Sequence, residues 1–287
     1  MIPPSFAYHC PASIHEALGL LERFGEDAKI LAGGHSLLPM MKLRFSEPAQ
    51  LIDLNRIAEL RGIREEGGKI VIGAMTTENE LIDSPLLQRK LPLLVEAATQ
   101  IADPQVRNRG TIGGDIAHGD PANDHPAIAK ALDATFVLQG SRGERRVRAV
   151  DFFHGIYATD ITADEILAAI EITPPPEGSG YAYRKLKRKS GDWATAASAV
   201  VLRLSGGIVE HVAIGLTNVA PTAIRASRAE SLLKGQPVTP ALLKEVAMAV
   251  RSACEPSEDL RGDADYKRAM AGEMTKRAIE LAASRCR

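Results

Sequence analysis

"LAGGHSLLPMMKLR" (31–44) sets two adjacent glycines between a strand-like stretch and a helix-like run. "TIGGDIAHGDPANDHPA" (111–127) repeats the form: a double glycine, a polar loop, then a helix-like run. A chain that builds this twice is holding something with backbone, and that something has two ends or a long middle. In the first loop Gly33 and Gly34 permit positive φ and leave no Cβ over the backbone. Successive N–H groups in such a turn form an anion-binding nest. Ser36 stands where a helix cap stands, with Pro39 in the first turn, so a helix start aims its free N–H groups at the same spot. Gly113 and Gly114 are expected to act likewise, with Asp124 following after the polar stretch. Neither loop carries the G-x-x-x-x-G-K-[ST] or G-x-G-x-x-G pattern of the common nucleotide-binding turns. Two nests suit a diphosphate, since a hydrogen bond to a charged group contributes roughly 1.5–3 kcal/mol. The residues alone reach a phosphate-bearing cofactor, with plain tight turns as the other account of a Gly-Gly pair.

The remaining composition narrows the class. The chain has 287 residues, 45% hydrophobic and 25% charged, the profile of a globular protein of one to three domains. A net charge of -1 gives no field that recruits nucleic acid or an anionic membrane. "MIPPSFAYHC" has neither a basic nor an apolar leader segment, and no apolar run approaches a membrane span, so a cytoplasmic protein without a transmembrane segment is expected. Peripheral attachment to the inner face of the membrane is compatible with that. The cysteines, Cys10, Cys254 and Cys286, lie far apart and form no CxxC pair, so no metal or iron–sulfur site is expected in this chain. No HExxH and no G-x-S-x-G is present, and no catalytic residue is assigned.

Along the chain, "SIHEALGLLERFG" (13–25) reads as a helix capped by Ser13 and ended by Gly25. "AKILAGG", "AQLIDLNRI" and "GGKIVIGAM" read as strands, the last opened by a Gly-Gly turn. "PLLQRKLPLLVEAATQIA" is a helix that Pro92 should kink or restart. "DHPAIAKALDA" is a helix with Asp124 as its cap and Pro126 in its first turn. "TFVLQG" and "RRVRAV" are strand-like, and "DEILAAIEI" fits either element type. "TPPPEGSG" (173–180) is the clearest boundary. Beyond it come a strand pair joined by Ser-Gly-Gly and three helices, near 225–235, 239–253 and 264–284. The order argues an α+β fold with a separate C-terminal domain.

"AGGHSLLPMMKLR", "TIGGDIAHGDPAND" and "KLKRKSGDWATAA" together resemble the FAD-binding medium subunits of the molybdenum hydroxylases, over essentially the whole chain. "IREEG", "VIGAMTT", "YAYRKLKRK" and "IGLTNVA" narrow the resemblance to the carbon monoxide dehydrogenase branch. It implies the vanillyl-alcohol-oxidase/PCMH-like FAD-binding fold, with subdomains 1–53 and 54–176 clasping FAD and a C-terminal α/β domain, 177–287. By position, it implies that Ala32, Gly33, Gly34, His35 and Ser36 wrap the pyrophosphate from one side, and Thr111, Ile112, Gly113, Gly114 and Asp115 from the other. Asp124 is then expected at the ribityl or ring region, Leu167 and Lys185 near the isoalloxazine, and Trp193 over the ring. Position 115 is commonly Asn in this family, and position 193 commonly Tyr in this branch. A carboxylate beside a pyrophosphate is repulsive unless it points away or pairs with a cation, for which Arg107 and Arg109 stand nearby.

The function implied by the resemblance is an electron-transfer subunit with noncovalent FAD. A large partner with the molybdenum cofactor oxidises the substrate, and a small partner with 2Fe-2S clusters relays electrons. The FAD passes them to an external acceptor such as a quinone, in a dimer of heterotrimers. Alternatives are the medium subunit of a hydroxylase acting on an aldehyde or N-heterocycle, a stand-alone FAD oxidoreductase, and a non-catalytic nucleotide-binding module. "YRKLKRK" reads as a solvated basic face, a docking surface, or the means of placing Lys185 at the flavin. His35 is expected to pack or hydrogen-bond rather than act as a base.

Overall fold

In the computed structural model, which describes residues 2–287, Met1 lies outside the described residues. The strands Ala7–His9, Gln50–Asp53 and Ala28–Leu31 form a parallel sheet in that order. Parallel strands need crossovers: the helix Ile14–Phe24 carries the chain from one outer strand to the other, and the helix Leu37–Lys42 from there to the central strand. Ser13 accepts from the Glu16 N–H and caps it, and Gly25 ends it, as the sequence predicts. Ala17, Leu18 and Leu21 bury its inner face against Ile52, Leu54 and Ile57.

A five-stranded antiparallel sheet follows, in the order Ile63–Glu66, Lys69–Gly73, Glu165–Ile172, Thr135–Gly140, Gly143–Arg148. The ambiguous "DEILAAIEI" is therefore a strand, and the central one. Ile70 and Ile72 pair across to Ile172 and Ile170, which explains its apolar run. Between the second and fourth of these strands the chain inserts its helices. Pro92 does restart the helix there: Pro85–Lys90 and Pro92–Ala98 meet at Leu91, whose φ/ψ of -135/52 is not helical. "RRVRAV" keeps strand form only to Arg148, and Ala149–Phe152 is a helical turn.

The third sheet runs Gly180–Leu186, Ala196–Ser205, Ile208–Thr217, Ile224–Arg225, antiparallel throughout. Its two long strands meet at Gly206 and Gly207, both at positive φ. The helices Ser227–Leu233, Pro240–Ala253 and Ala264–Arg285 cover one face, at the three places the sequence indicates. Alternation sorts the strand residues: Ala182, Val200 and Ile214 face those helices, while Tyr183, Ala199 and Ala213 face the helical insert of the second sheet. With both faces covered, "AASAVVL" has no polar phase. The helix His125–Ala131 lies directly on this sheet, where a Cβ on Gly215 would stand 2.0 Å from the Ala127 carbonyl oxygen. That contact sets the start of the helix above Tyr183 and Lys185.

Candidate functional site

The strand Ala28–Leu31 ends in the loop Ala32–Ser36, and the helix Leu37–Lys42 follows. Gly34 takes φ +78, the turn that only glycine adopts without strain. Gly33 does not take positive φ, contrary to expectation. Its constraint is proximity: a Cβ there would sit 2.3 Å from the Arg109 carbonyl oxygen and 2.8 Å from the Gly110 Cα. Among the described residues, the backbone N–H groups of Gly33, Gly34, His35, Ser36 and Leu37 donate to no acceptor within the chain. Four of the five residues are half-buried, where such groups are ordinarily paired, so the run has the form of a nest that can accept an anion. Ser36 occupies the cap position, yet its hydroxyl makes no cap hydrogen bond.

The second motif is not a loop. Ile112–His118 is a helix, and Gly113 and Gly114 lie in its first turn. Thr111 caps it, accepting from the Gly114 N–H at 3.1 Å. The Ile112 N–H donates to the Thr76 carbonyl at 3.1 Å, Gly113 to Ala74 at 2.9 Å, and Asp115 to Thr111 at 3.0 Å. The expected second nest therefore does not exist, because its donors are spent inside the chain. These glycines serve close packing instead. A Cβ on Gly113 would meet the Ala74 Cβ at 2.4 Å, and one on Gly114 would meet the Thr111 hydroxyl at 2.8 Å and the Ala32 Cβ at 3.3 Å. The two motifs are neighbours across one seam.

That seam opens into a cleft of about 1170 Å³, larger than the about 300–1,000 Å³ of ordinary ligand pockets. Ala32, Gly33, Gly34, His35 and Ser36 line one stretch of it, and Thr111, Gly113, Gly114 and Asp115 another. Asp124, Leu167, Lys185 and Trp193 line the remainder. Ile112 is the expected site residue that stays out: it is 1% exposed and belongs to the core. His35 is exposed at the rim; partial burial, then Arg109, holds its imidazole below the usual value.

Asp124 holds the cap position of His125–Ala131 but makes no cap hydrogen bond, another departure from expectation. Its carboxylate accepts from the Tyr183 hydroxyl and, at 2.6 Å, from Lys185 Nζ. Asp115 takes over the cap, accepting from the His125 N–H at 3.3 Å. Neither nearby arginine pairs with Asp115: Arg107 donates to the Ile101 carbonyl, and Arg109 turns its own carbonyl toward Gly33. Burial raises the Asp115 carboxyl to about 7, with Glu78 and Asp124 adding to it and His125 opposing. His125 Nε2 sits 2.9 Å from both Glu78 carboxylate oxygens. Burial opposes its charged form, but Glu78, Asp115 and Asp124 outweigh that and raise it to about 9. Burial, then Asp124, pushes Tyr183 well above its usual value. Glu78, His125 and Tyr183 escaped the sequence reading because nothing in their local pattern distinguishes them from cap and core residues.

"YRKLKRK" runs off the end of a strand and divides: Arg184, Arg188 and Lys189 are exposed, while Lys185 and Lys187 turn inward. Arg184 points out, while the Lys185 side chain is 1% exposed. Lys187 donates to the Gln100 carbonyl and Arg188 to Asp192. Trp193 is 50% exposed at the cleft wall, so it is not a core filler. The Arg261 guanidinium lies 5.5 Å from its ring centroid and is itself fixed on Asp192 at 2.7 Å. Asp192 also accepts from the Trp193 backbone N–H at 2.9 Å.

Residues 4–175 match the family of FAD-binding domains in molybdopterin dehydrogenases. Residues 181–282 match the CO dehydrogenase flavoprotein C-terminal domain. The chain is 60% identical to the carbon monoxide dehydrogenase medium chain of Hydrogenophaga pseudoflava, covering 100% of both. It is 52% identical to that of Afipia carboxidovorans, again over 100% of both. It superposes on a solved structure of carbon monoxide dehydrogenase from Hydrogenophaga pseudoflava that lacks the Mo-pyranopterin moiety of the molybdenum cofactor, with a TM-score of 0.99, 62% identity and 100% of each chain covered.

Proposed function

The chain belongs to the FAD-binding subunits of the molybdenum hydroxylases, with FAD as its cofactor, and we propose that it is the medium subunit of a carbon monoxide dehydrogenase. The observation that carries this reading is the 60% identity over the full length of a carbon monoxide dehydrogenase medium chain. In the proposed assembly a large subunit with the molybdenum cofactor oxidises CO with water to CO2. A small subunit with 2Fe-2S clusters relays the electrons. Among the described residues no group of three or more His, Cys, Asp or Glu is placed to hold a metal. No helix among them is long and apolar enough to cross a membrane; the proposed assembly is a dimer of heterotrimers in the cytoplasm.

The residues fit FAD. The five unpartnered N–H groups from Gly33 to Leu37, at a turn where Gly34 needs positive φ, suit a pyrophosphate. Ala32, His35 and Ser36 complete that loop. Thr111, Gly113, Gly114 and Asp115 supply the opposite wall by shape, with Ile112 anchoring it from the core. Asp124, Lys185, Leu167 and Trp193 are assigned to the isoalloxazine end. When bound, FAD supplies the exchange between single electrons and a two-electron acceptor; the protein binds and orients it. The three larger sheets support a division at 1–53, 54–176 and 177–287.

The test is isolation of the chain with whatever co-purifies. Partners bearing molybdenum and iron, and bleaching of the flavin by CO under anaerobic conditions, are expected. Bleaching by an aldehyde or N-heterocycle but not by CO would move the assignment to another hydroxylase. Turnover by the chain alone would make it a stand-alone oxidoreductase.

A further inference from the structure

Behind the nest, on the side away from the cleft, stands a hydrogen-bonded chain of side chains. Asn55 lies in the short helical turn Leu54–Arg56 that follows the strand Gln50–Asp53. Its amide nitrogen donates to the Ala32 carbonyl at 3.0 Å and to the Asp53 carboxylate at 2.6 Å, which uses both hydrogens. The amide oxygen faces Arg61, whose guanidinium also reaches the Asn55 and Met75 carbonyls. Asp53, 8% exposed, is held on its other oxygen by the Tyr8 hydroxyl at 2.6 Å. These contacts fix which way the amide points, since a flipped amide would set its oxygen against the Asp53 carboxylate.

The turn does not need the contact to Ala32. Asp53 already caps it by accepting from the Asn55 N–H at 2.8 Å, and the Ile57 N–H closes onto the Leu54 carbonyl. The reach across 23 residues to the loop is an added bond. Its consequence follows from peptide geometry. A trans peptide is planar, with C=O and N–H on opposite sides. Holding the Ala32 oxygen toward Asn55 therefore turns the Gly33 N–H the other way, into the cleft.

We infer that Asn55 is a positioning residue for the cofactor site, aiming the Gly33 N–H through the Ala32 carbonyl. The inference rests on the reading that this loop takes the pyrophosphate. Asn55 touches no ligand itself. Asp at this position would lose both donors and place a second carboxylate against Asp53; Ser would keep one short donor.

The experiment measures FAD and ADP binding to the full chain, together with the chains that co-purify with it, for Asn55→Ala, Asn55→Asp, Asn55→Ser and Gly34→Val. Asn55→Ala should weaken FAD and ADP by the same factor, about tenfold for one lost charge-directed donor. Asn55→Asp should weaken them more, and Asn55→Ser less. The 31P resonances of bound FAD should move in Asn55→Ala while the visible flavin spectrum and the circular dichroism stay unchanged. Unaltered affinity in Asn55→Ala, or a loss without a 31P change, overturns the positioning role. Affinity kept by Gly34→Val instead overturns the pyrophosphate loop itself, so the two failures are distinct. Should Asn55→Ala fold poorly, the order of Asn55→Ser above Asn55→Asp in affinity decides the matter, and its reversal refutes the inference.

Discussion

Asp115→Asn should stabilise the protein at alkaline pH and leave FAD binding at least as strong. The carboxyl lies against a wall that already holds Glu78 and Asp124, and burial is the largest cause of its rise from 3.8 to about 7. The folded state therefore holds the Asp115 proton more tightly than the unfolded chain does. Stability is highest where both states are protonated. It falls as pH rises from about 4 through 7, and above that the full cost of a buried carboxylate is present. A shift of that size corresponds to roughly 4 kcal/mol at most, and the part falling between pH 5 and 8 is roughly 2 kcal/mol after allowing for screening at the cleft wall. The amide removes this cost while its oxygen still accepts the His125 N–H, so the helix cap is kept. His125 titrates in both proteins. Raised to about 9, its ion pair with Glu78 contributes fully below about 6.5 and is lost as pH passes 9. Urea denaturation from pH 5 to 8.5, with and without FAD, should give curves that lie close at pH 5 and separate upward for Asp115→Asn by pH 8. Parallel curves, or a variant weaker than the parent at pH 8, refute the buried-carboxylate argument. A large loss of FAD affinity shows that the carboxylate itself is needed.

Gly33→Val should abolish FAD binding with the circular dichroism largely kept, because its Cβ would enter the Arg109–Gly110 backbone and part the seam; Gly114→Val should do the same through Thr111 and Ala32, and normal flavin content in both removes the argument. The flavin should be noncovalent: among the described residues no cysteine lines the cleft, and its two histidines, His35 in the glycine loop and His118 against Tyr157, are not assigned to the isoalloxazine end; acid precipitation should release all the yellow colour, and colour left in the pellet contradicts this. Trp193 is the one tryptophan in the chain, so FAD should quench its fluorescence strongly. Trp193→Ala should weaken binding by about 1–3 kcal/mol, on the scale of aromatic–base stacking, and Trp193→Tyr by much less. Emission indifferent to FAD takes Trp193 out of the site.

The elements that sequence alone gives well are those whose signal is local. Ser13 and Gly25 bracket a helix through a side-chain bond and a turn that need no distant partner. Pro92 restarts its helix because the missing N–H acts at once on its own turn. What sequence leaves open depends on a neighbour far along the chain. "DEILAAIEI" is a strand because Ile70 and Ile72 lie beside it. Lys185 is buried within a basic run because its carboxylate partner is Asp124, on another element. Asp115 and Asp124 both precede the same helix, and either can cap it. The choice falls to Asp115 because Tyr183 and Lys185 engage Asp124 from the third sheet.

Glycine is ambiguous in the same way, and here the ambiguity changes the chemistry. One letter stands for positive φ at Gly34, for backbone contact at Gly33 and Gly113, and for a packed helix turn at Gly114. The double glycines resemble each other because they face each other across a seam, with Gly114 near Ala32 and Gly33 against Arg109, and not because each forms a nest. On the proposed reading, the free N–H groups offered to a diphosphate in this cleft are concentrated in the first loop, because most donors of the second motif are spent within the chain. Every donor in that single nest then carries more of the binding, which is why the orientation of the Ala32–Gly33 peptide by Asn55 matters. The same asymmetry accounts for an acid at position 115. The second wall presents no array of donors to an anion, and Asp115 turns its carboxylate to the His125 N–H, so the residue that would repel a phosphate in a second nest serves as a helix cap in this one-sided site.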